Sequence, residues 1–210
     1  MKKFELTSET KINIFGKKLF RIKALISFAD VEAGETGGWV EKEGNVNQSG
    51  DAWVYGDAKV YGNAKVSGNA KVYGNAKVYG DAKVYGNAEV SVNAEVSGDA
   101  WVYGNAEVSD NAKVYGDAWV YGNAKVSGNA DVYGDAEVYG NADYTTIHGF
   151  GTQFRTTTFF RCKDKKVRVA CGCFFGTIPE FREQVKNTRK GKIAEEYLMI
   201  ADLMEKHFEK

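Results

Sequence analysis

The side chains able to do chemistry lie outside the repetitive middle of the chain. The two histidines are His148 and His207, and the cysteines are Cys162, Cys171 and Cys173. A histidine can act as a general base, and a cysteine nucleophile needs a base beside it. His148 is the histidine closest in sequence to the cysteines, so it is the candidate base of any enzymatic site.

The same cysteines and His148 form the one set with zinc-ligand chemistry. Cys171 and Cys173 are spaced Cys-x-Cys, whereas zinc sites usually show two residues between the cysteines. Buried cysteines in a β-hairpin fit these positions as well, and an odd number of cysteines does not indicate a disulfide framework. We therefore expect no metal and no other cofactor, with Cys162, Cys171 and Cys173 as weak metal-ligand candidates.

Three arginines, Arg155, Arg161 and Arg168, fall in segments that predict a β-hairpin. A guanidinium group binds phosphate through two parallel hydrogen bonds, so together they would form a small anion site. The alternative is that they are solvated arginines on a hairpin surface. We take all three as ligand-binding candidates.

These residues must be positioned by a chain whose middle, residues 50–143, repeats the phrase Gly-Asn/Asp-Ala-x-Val-Tyr/Ser. Ala and Val lie two positions apart, so on a strand both point inward and the residues beside them point outward. Gly followed by Asn or Asp suits a sharp corner, and glycine at every sixth position argues against a helix. The repeat predicts an all-β solenoid, a triangular parallel β-helix with three hexads per coil.

The hexad resembles the hexapeptide-repeat superfamily of left-handed parallel β-helices, which includes many acyltransferases. Residues 60–65, VYGNAK, match its aliphatic, corner and small positions, but glycine comes one position late. The resemblance implies a left-handed coil, although parallel crossovers are in general right-handed. It also implies an alternative function, an acyltransferase-like enzyme with His148 as base, since the repeat holds no histidine.

The outward positions form columns of aromatic residues eighteen positions apart. They include Trp101 and Trp119, which are ligand-binding candidates because a ring-bearing molecule can stack on them. Stacked aromatics also stabilise neighbouring strands, or form a contact surface for another subunit. The interface candidates in these columns are Tyr61, Tyr79, Tyr85, Tyr103, Tyr115 and Tyr121.

The segments around the repeat predict two further units. Residues 1–37 are expected to form an N-terminal β cap, residues 38–147 the β-helix, and residues 148–210 a C-terminal module. Gly38 keeps the glycine register of the repeat, which places Val40 in the alanine position.

The C-terminal module is expected to contain a hairpin, residues 156–162 and 167–173, and two helices. Thr177 and Glu180 have the spacing of a capping box and begin the first helix. The second helix, residues 193–208, has apolar residues at helical spacing. It adds Met204 and Phe208 as interface candidates.

Composition argues against several classes of protein. Lys plus Arg and Asp plus Glu number 28 each, so no net charge attracts the chain to nucleic acid or to a membrane. No apolar run is long enough to span a bilayer, and the first residues lack the apolar segment of a signal peptide. We expect a cytoplasmic protein without a membrane or direct nucleic-acid partner.

The order of segments also resembles a group of small bacteriophage and prophage proteins. The matching segments are LFRIKAL at 19–25, GGWVEK at 37–42, the hexads, TTTFFR at 156–161 and CGCF at 171–174. The resemblance implies a phage accessory protein in the cytoplasm of a bacterial host. We expect a non-enzymatic binding or assembly protein, a homo-oligomer (trimer or dimer) built on the β-helix. Its C-terminal module would bind a host protein or an anionic, nucleotide-like ligand in counter-defence.

Overall fold

A computed structural model describes residues 1–209 and confirms the parallel β-solenoid, with about six turns. Its strands, in chain order, are β1 (Phe4–Ile12), β2 (Lys18–Ala24), β3 (Thr36–Val40), β4 (Trp53–Val54), β5 (Lys59–Val60), β6 (Lys65–Val66), β7 (Lys71–Val72), β8 (Lys77–Val78), β9 (Lys83–Val84), β10 (Glu89–Val90), β11 (Glu95–Val96), β12 (Trp101–Val102), β13 (Glu107–Val108), β14 (Lys113–Val114), β15 (Trp119–Val120), β16 (Lys125–Val126), β17 (Asp131–Val132) and β18 (Glu137–Val138).

Three parallel sheets form the sides of the solenoid. The first face contains β3, β5, β8, β11, β14 and β17, and its sheet continues through the antiparallel pair β2 and β1. The second face contains β4, β7, β10, β13 and β16, and the third contains β6, β9, β12, β15 and β18. Consecutive strands therefore lie on different faces, as expected for three hexads in each coil.

The core consists of the alanine and valine of each hexad. Every such alanine from Ala52 to Ala136 and every valine from Val54 to Val138 is buried. Each fully buried valine contributes roughly 1.5–3 kcal/mol of transfer free energy before chain entropy is counted. The predicted facing of the repeat is confirmed.

At most corners of the solenoid glycine is favoured for two reasons. Gly80, for example, has φ +72°, and a Cβ added there would lie 2.9 Å from the backbone nitrogen of Gly98. The asparagines beside these glycines stack in columns, in which Asn87 Nδ2 donates to Asn105 Oδ1 at 3.0 Å. The corner is thus held both by its backbone conformation and by side-chain hydrogen bonds.

The register predicted for the first coil is wrong by two residues. Val40 pairs with Val60, so it occupies the valine position, and Gly38 occupies the alanine position. A Cβ on Gly38 would lie 2.5 Å from Val54 Cγ1 and 2.8 Å from the Ala58 carbonyl oxygen. Gly38 is therefore present because no side chain fits there, and not because the chain turns a corner.

The N-terminal cap closes the first end of the solenoid. Trp53 is fully buried, with the rings of Phe4 and Phe28 packed edge-on against it at 5.8 and 5.4 Å. The Lys3 ammonium is also buried and donates to the carbonyl oxygens of Ala52 at 2.8 Å and Gly50 at 3.1 Å. The expected capping role of this segment is confirmed.

The C-terminal module has four strands where a hairpin was expected. β19 (Tyr144–Phe150), β20 (Arg155–Arg161), β21 (Val167–Cys171) and β22 (Phe174–Thr177) form one antiparallel sheet in that order. The solenoid ends at β18, because Asn141–Asp143 form a 3-10 turn and Ala142 is exposed. The module therefore begins several residues before the predicted position 148.

Two helices follow this sheet, as predicted, and they cover one of its faces. α1 (Ile178–Thr188) begins at a capping box in which Glu180 N–H donates to Thr177 Oγ1 and Thr177 N–H donates to Glu180 Oε2. α2 spans Gly191–Phe208. Neither helix within residues 1–209 has the length and apolar character that crossing a bilayer requires.

Candidate functional site

The C-terminal sheet separates two packing layers. Phe160 and Cys162 face the solenoid core, whereas Phe159 faces α1 and α2. Alternation along β20 and β21 places Thr157 and Cys171 on the helix side as well, and Thr157 Oγ1 lies 3.1 Å from Cys171 Sγ. Apolar side chains fill most of the space between this face and the helices, and the space opens to solvent at the edge near Cys171.

The β20–β21 turn fixes the module to the last coils. Lys163 N–H donates to the Asp135 carbonyl and its ammonium donates to the Asp117 carbonyl, both at 3.0 Å. Lys165 forms an ion pair with Glu137 at 2.7 Å. The solenoid therefore holds the sheet in one position.

A cleft opens where α1 ends and α2 begins. Its first lobe, about 660 Å³, is lined by polar and basic residues. Among them Arg155 comes from β20, Arg189 and Lys190 come from the link between the helices, and Tyr197 comes from α2. The lining contains no aspartate or glutamate, so its charge is entirely positive.

A second lobe, about 470 Å³, adjoins the first and shares Arg155, Arg189 and Tyr197 with it. Its other walls include the rings of Phe174 and Phe181, and it too contains no carboxylate. The two lobes together offer cationic groups on one side and aromatic rings on the other. Such a division suits a ligand with an anionic group and a flat ring.

The cations of the cleft are not neutralised by the protein. Within residues 1–209, Arg155, Arg189 and Lys190 form no ion pair. The N-terminus of α2 begins here without a side-chain cap and without an acidic residue in its first turn. Its free N–H groups add positive potential to the same cavity.

Tyr197 lines both lobes of the cleft. Its ring is buried and packs edge-on against Phe181 at 5.8 Å, and its hydroxyl donates to the Phe150 carbonyl at 3.3 Å. Burial raises the pKa of this phenol, and the neighbouring Cys171 raises it further. The hydroxyl therefore stays protonated, with its proton donated to the Phe150 carbonyl, and its oxygen can still accept a hydrogen bond.

The three predicted arginines do not come together. Arg155 lines the cleft, but Arg161 lies at the other end of β20, where it donates to the Phe208 carbonyl at 2.6 Å and faces Asp143 at 3.4 Å. Arg168 lies on the solenoid side of the sheet and pairs with Asp164 at 2.7 Å. The expectation of one anion site built from all three is wrong, because alternation and strand length separate them.

The cysteines and His148 are also separated. Cys162 faces the solenoid, where burial and then the nearby Asp135 raise its thiol pKa to about 12. Cys171 faces the helices, and Cys173 is exposed in the turn that follows. His148 is exposed, with Nδ1 3.2 Å from Thr156 Oγ1. Residues 1–209 contain no cluster of three or more His, Cys, Asp or Glu able to hold a metal.

The tryptophans are stacked as predicted, but their ring faces are occupied. Trp101 and Trp119 stack at 5.5 Å. The ammonium of Lys83 lies 4.3 Å from the centre of Trp101, and that of Lys163 lies 4.2 Å from the centre of Trp119. A ligand platform on these rings is therefore wrong for this structure; the four side chains form one column that fastens the module to the third face.

The tyrosine columns differ in what covers them. Tyr61 is 6% exposed beneath the N-terminal hairpin, whose Phe15 lies 6.3 Å from it and from Tyr79. Tyr115 continues into Tyr133, on which Phe175 of the module packs at 4.6 Å. The column Tyr85, Tyr103 and Tyr121 on the third face stacks at 4.9 Å, and among the described residues no ring of either cap packs on it.

The helix residues proposed for an interface point inward. Met204 is 6% exposed and Phe208 is 5% exposed, both in the layer between the helices and the sheet. The exposed apolar residues of α2 are Met199 and Leu203 instead. Helical spacing alone identifies a stripe of apolar residues, but it does not say whether the partner is the same chain.

Sequence reasoning missed Arg189, Lys190 and Tyr197. A signal for two of them was present, since residues 189–192 (RKGK) form a basic run between the two helices. Their convergence with Arg155 depends on how the helices pack on the sheet, which the sequence pattern does not give.

No model of a protein family matches this chain, and no curated protein matches it. The function is therefore inferred from the cleft and from the surfaces of the solenoid.

Proposed function

We propose that the protein is a non-enzymatic binding protein that captures an anionic, nucleotide-like molecule in the cleft of its C-terminal module. The observation behind this proposal is the cavity of about 660 Å³ that holds Arg155, Arg189 and Lys190 and no carboxylate. Unpaired cations in a concave site attract and hold anions, because no internal partner must first be displaced.

The adjoining lobe supports a ligand that also has a ring. Phe174 and Phe181 offer apolar ring surface beside the shared Arg155 and Arg189. A phosphate among the cations and a base against the aromatic rings would occupy both lobes at once. The solenoid acts as the rigid scaffold that holds this module.

Calorimetry with AMP, adenosine and inorganic pyrophosphate tests the proposal. We expect AMP to bind more tightly than adenosine, and the AMP affinity to fall as salt is added. The double variant Arg189→Glu with Lys190→Glu should lower AMP affinity at least tenfold, since each charge-assisted hydrogen bond contributes about 1.5–3 kcal/mol. Arg155→Met should act in the same direction.

The control is Lys192→Glu, which reverses one charge two residues beyond Lys190, whereas the double variant reverses two. Lys192 pairs with Glu196 at 3.6 Å and does not line the cleft, so AMP affinity should change little. The proposal fails if neither AMP nor pyrophosphate binds, or if Lys192→Glu weakens binding as much as the double variant does.

The proposal includes a homo-oligomer, a trimer or a dimer, assembled through the third face. Within residues 1–209, no aromatic ring of either cap packs on the column Tyr85, Tyr103 and Tyr121. Light scattering should give a multiple of the 23.1 kDa chain mass. Tyr103→Ser should lower that mass, whereas Tyr73→Ser on the second face should not. A single-chain mass for the unmodified protein at micromolar concentration would refute the assembly.

The wider setting of the proposal rests on resemblance. The VYGNAK phrase at residues 60–65 supports membership of the hexapeptide-repeat superfamily and a left-handed coil. The flanking segments support a phage accessory protein acting in the cytoplasm of a bacterial host. In that setting, capture of a nucleotide signal would be an act of counter-defence, and we favour it over capture of a host protein because the cleft has the size of a small molecule.

A further inference from the structure

One tyrosine column on the first face is interrupted. Counting along the coils, its outward residues are Tyr61, Tyr79, Ser97, Tyr115 and Tyr133. Tyr61 and Tyr79 stack at 5.0 Å with 2° between their planes, and Tyr115 and Tyr133 stack at 4.7 Å with 6°. Ser97 leaves the central coil of this column without a ring.

The rings on both sides of this gap are held from behind. Tyr79 is backed by Tyr61, and Phe15 of the N-terminal hairpin lies 6.3 Å from both rings. Tyr115 is backed by Tyr133, on which Phe175 packs at 4.6 Å. Each wall is therefore positioned before any ligand arrives, which lowers the entropy lost on binding.

The gap has the thickness of one aromatic ring. Successive coils lie about 4.8 Å apart, so Tyr79 and Tyr115, two coils apart, are separated by roughly 9.6 Å along the axis. A ring halfway between them would lie about 4.8 Å from each wall. That spacing agrees with the 4.7 and 5.0 Å at which the tyrosines already stack.

The floor of the gap is polar, and its carboxylate is paired with a lysine. Ser97 is half-buried there, and its hydroxyl can donate or accept a hydrogen bond. The neighbouring Glu95 is bound by Lys77 at 2.6 Å and lies 3.4 Å from the Tyr79 hydroxyl. We infer that the gap between Tyr79 and Tyr115 is a binding site for a neutral, planar aromatic molecule, which stacks between the two rings and hydrogen-bonds to Ser97.

Saturation-transfer difference NMR with indole as probe and cyclohexanol as a non-planar comparison tests this site. The unmodified protein should transfer saturation to indole and not to cyclohexanol, because only a flat molecule enters the gap. Ser97→Tyr places a ring in the gap and should reduce the indole signal about fivefold or more, the equivalent of the lost stacking contacts.

The matched control is Ser109→Tyr, on the second face, where the outward neighbours Ser91 and Ser127 supply no ring. Its indole signal should equal that of the unmodified protein. Ser97→Tyr should also melt at a higher temperature than Ser109→Tyr, since its new ring stacks on both sides. Indole binding that Ser97→Tyr leaves unchanged, or equal melting temperatures of the two variants, would overturn the assignment.

Discussion

Two residues stand at corners where the repeat otherwise uses glycine, and both adopt the glycine conformation. Val92 has φ 60° and Asp110 has φ 59°. Asp110 gains something from its side chain, because its Oδ2 accepts a hydrogen bond from Gly128 N–H at 2.9 Å. Val92 is branched at Cβ and 45% exposed, and its side chain has no polar atom that could make such a bond. The left-handed conformation costs an ordinary residue about 1–2 kcal/mol, so Val92 stores strain.

We expect Val92→Gly to stabilise the protein. Relief of about 1–2 kcal/mol of strain exceeds the roughly 0.5–1 kcal/mol of extra chain entropy that glycine loses on folding. The free energy of unfolding in urea should rise by up to about 1.5 kcal/mol. Asp110→Gly is the comparison, and it should gain less because the bond to Gly128 is lost. A fall in stability for Val92→Gly would show that the valine is favoured by contacts other than those seen at this corner.

The faces of the solenoid are built from strands of two residues, which are stabilised by their neighbours. Each strand is too short to be stable alone, and it is fixed by ladder hydrogen bonds such as Trp101 N–H to Ala118 O at 2.9 Å. Tyrosine rings then cover the ladder on its outer side, half-buried against one another. Burial raises the pKa of the phenol groups, to about 12 for Tyr115 and about 12 for Tyr121.

These shifts predict a loss of stability in alkali. Below pH 10 the tyrosines are neutral in both states, so their contribution is fully present. Above the ordinary pKa of 10.0 the unfolded chain ionises, while Tyr115 in the fold resists ionisation to about 12. Stability should therefore fall as pH rises from 10 to 12, measured by urea denaturation together with tyrosinate absorbance. Tyr115→Phe should show a shallower fall, and an equally steep one would exclude this tyrosine as a contributor.

The strands of the solenoid can be predicted from the sequence because every hexad repeats the same pattern of inward and outward residues. Val84 is buried for the same reason as Val102, and one assignment fixes both. The first coil has no such redundancy: Gly38 continues the glycine spacing but serves close packing against Val54, so its register was predicted wrongly. β19 was missed because Tyr144–Phe150 lacks regular alternation, and β22 was missed because Phe174–Thr177 is only 4 residues long.

The candidate site was less predictable than the fold. Arg155 was identified as an anion ligand, and it does line the cleft. Arg189 and Lys190 meet it only because α1 and α2 fold back across the sheet, and that packing depends on contacts such as Phe159 with Phe181 at 6.3 Å. Repetition predicts neighbours eighteen residues apart, whereas the module brings together residues with no periodic relation.

The ladder hydrogen bonds of the solenoid all point in the same direction along its axis. The two ends of the molecule therefore need different caps. Ladder N–H groups point toward the next coil, so the first coil is left with free carbonyl oxygens and the last with free N–H groups. Side-chain donors serve the first end, where Lys3 reaches Ala52 O. Side-chain acceptors serve the last end, where Asn141 Oδ1 binds Lys125 N–H at 2.8 Å. The caps therefore cannot be exchanged, but every coil between them is replaceable.

Deleting one whole coil should leave the fold intact. Removing residues 86–103 joins Tyr85 to Gly104, which preserves the hexad phase and every contact of the two caps. Each coil interacts only with its neighbours, so the shortened chain should keep its circular dichroism and a cooperative melt. Its rod should be about 4.8 Å shorter by small-angle scattering.

A deletion of half that length should damage the fold more, and it serves as the comparison for the whole-coil deletion. Removing residues 86–94 joins Tyr85 to Glu95 and leaves two strands with no corner between them. Downstream valines would then be out of phase with the core by half a hexad, and burying their polar neighbours without partners is unfavourable. We expect this shorter deletion to unfold or aggregate. If the nine-residue deletion folded as well as the eighteen-residue one, the coils would not be the independent units that the hydrogen-bond ladder implies.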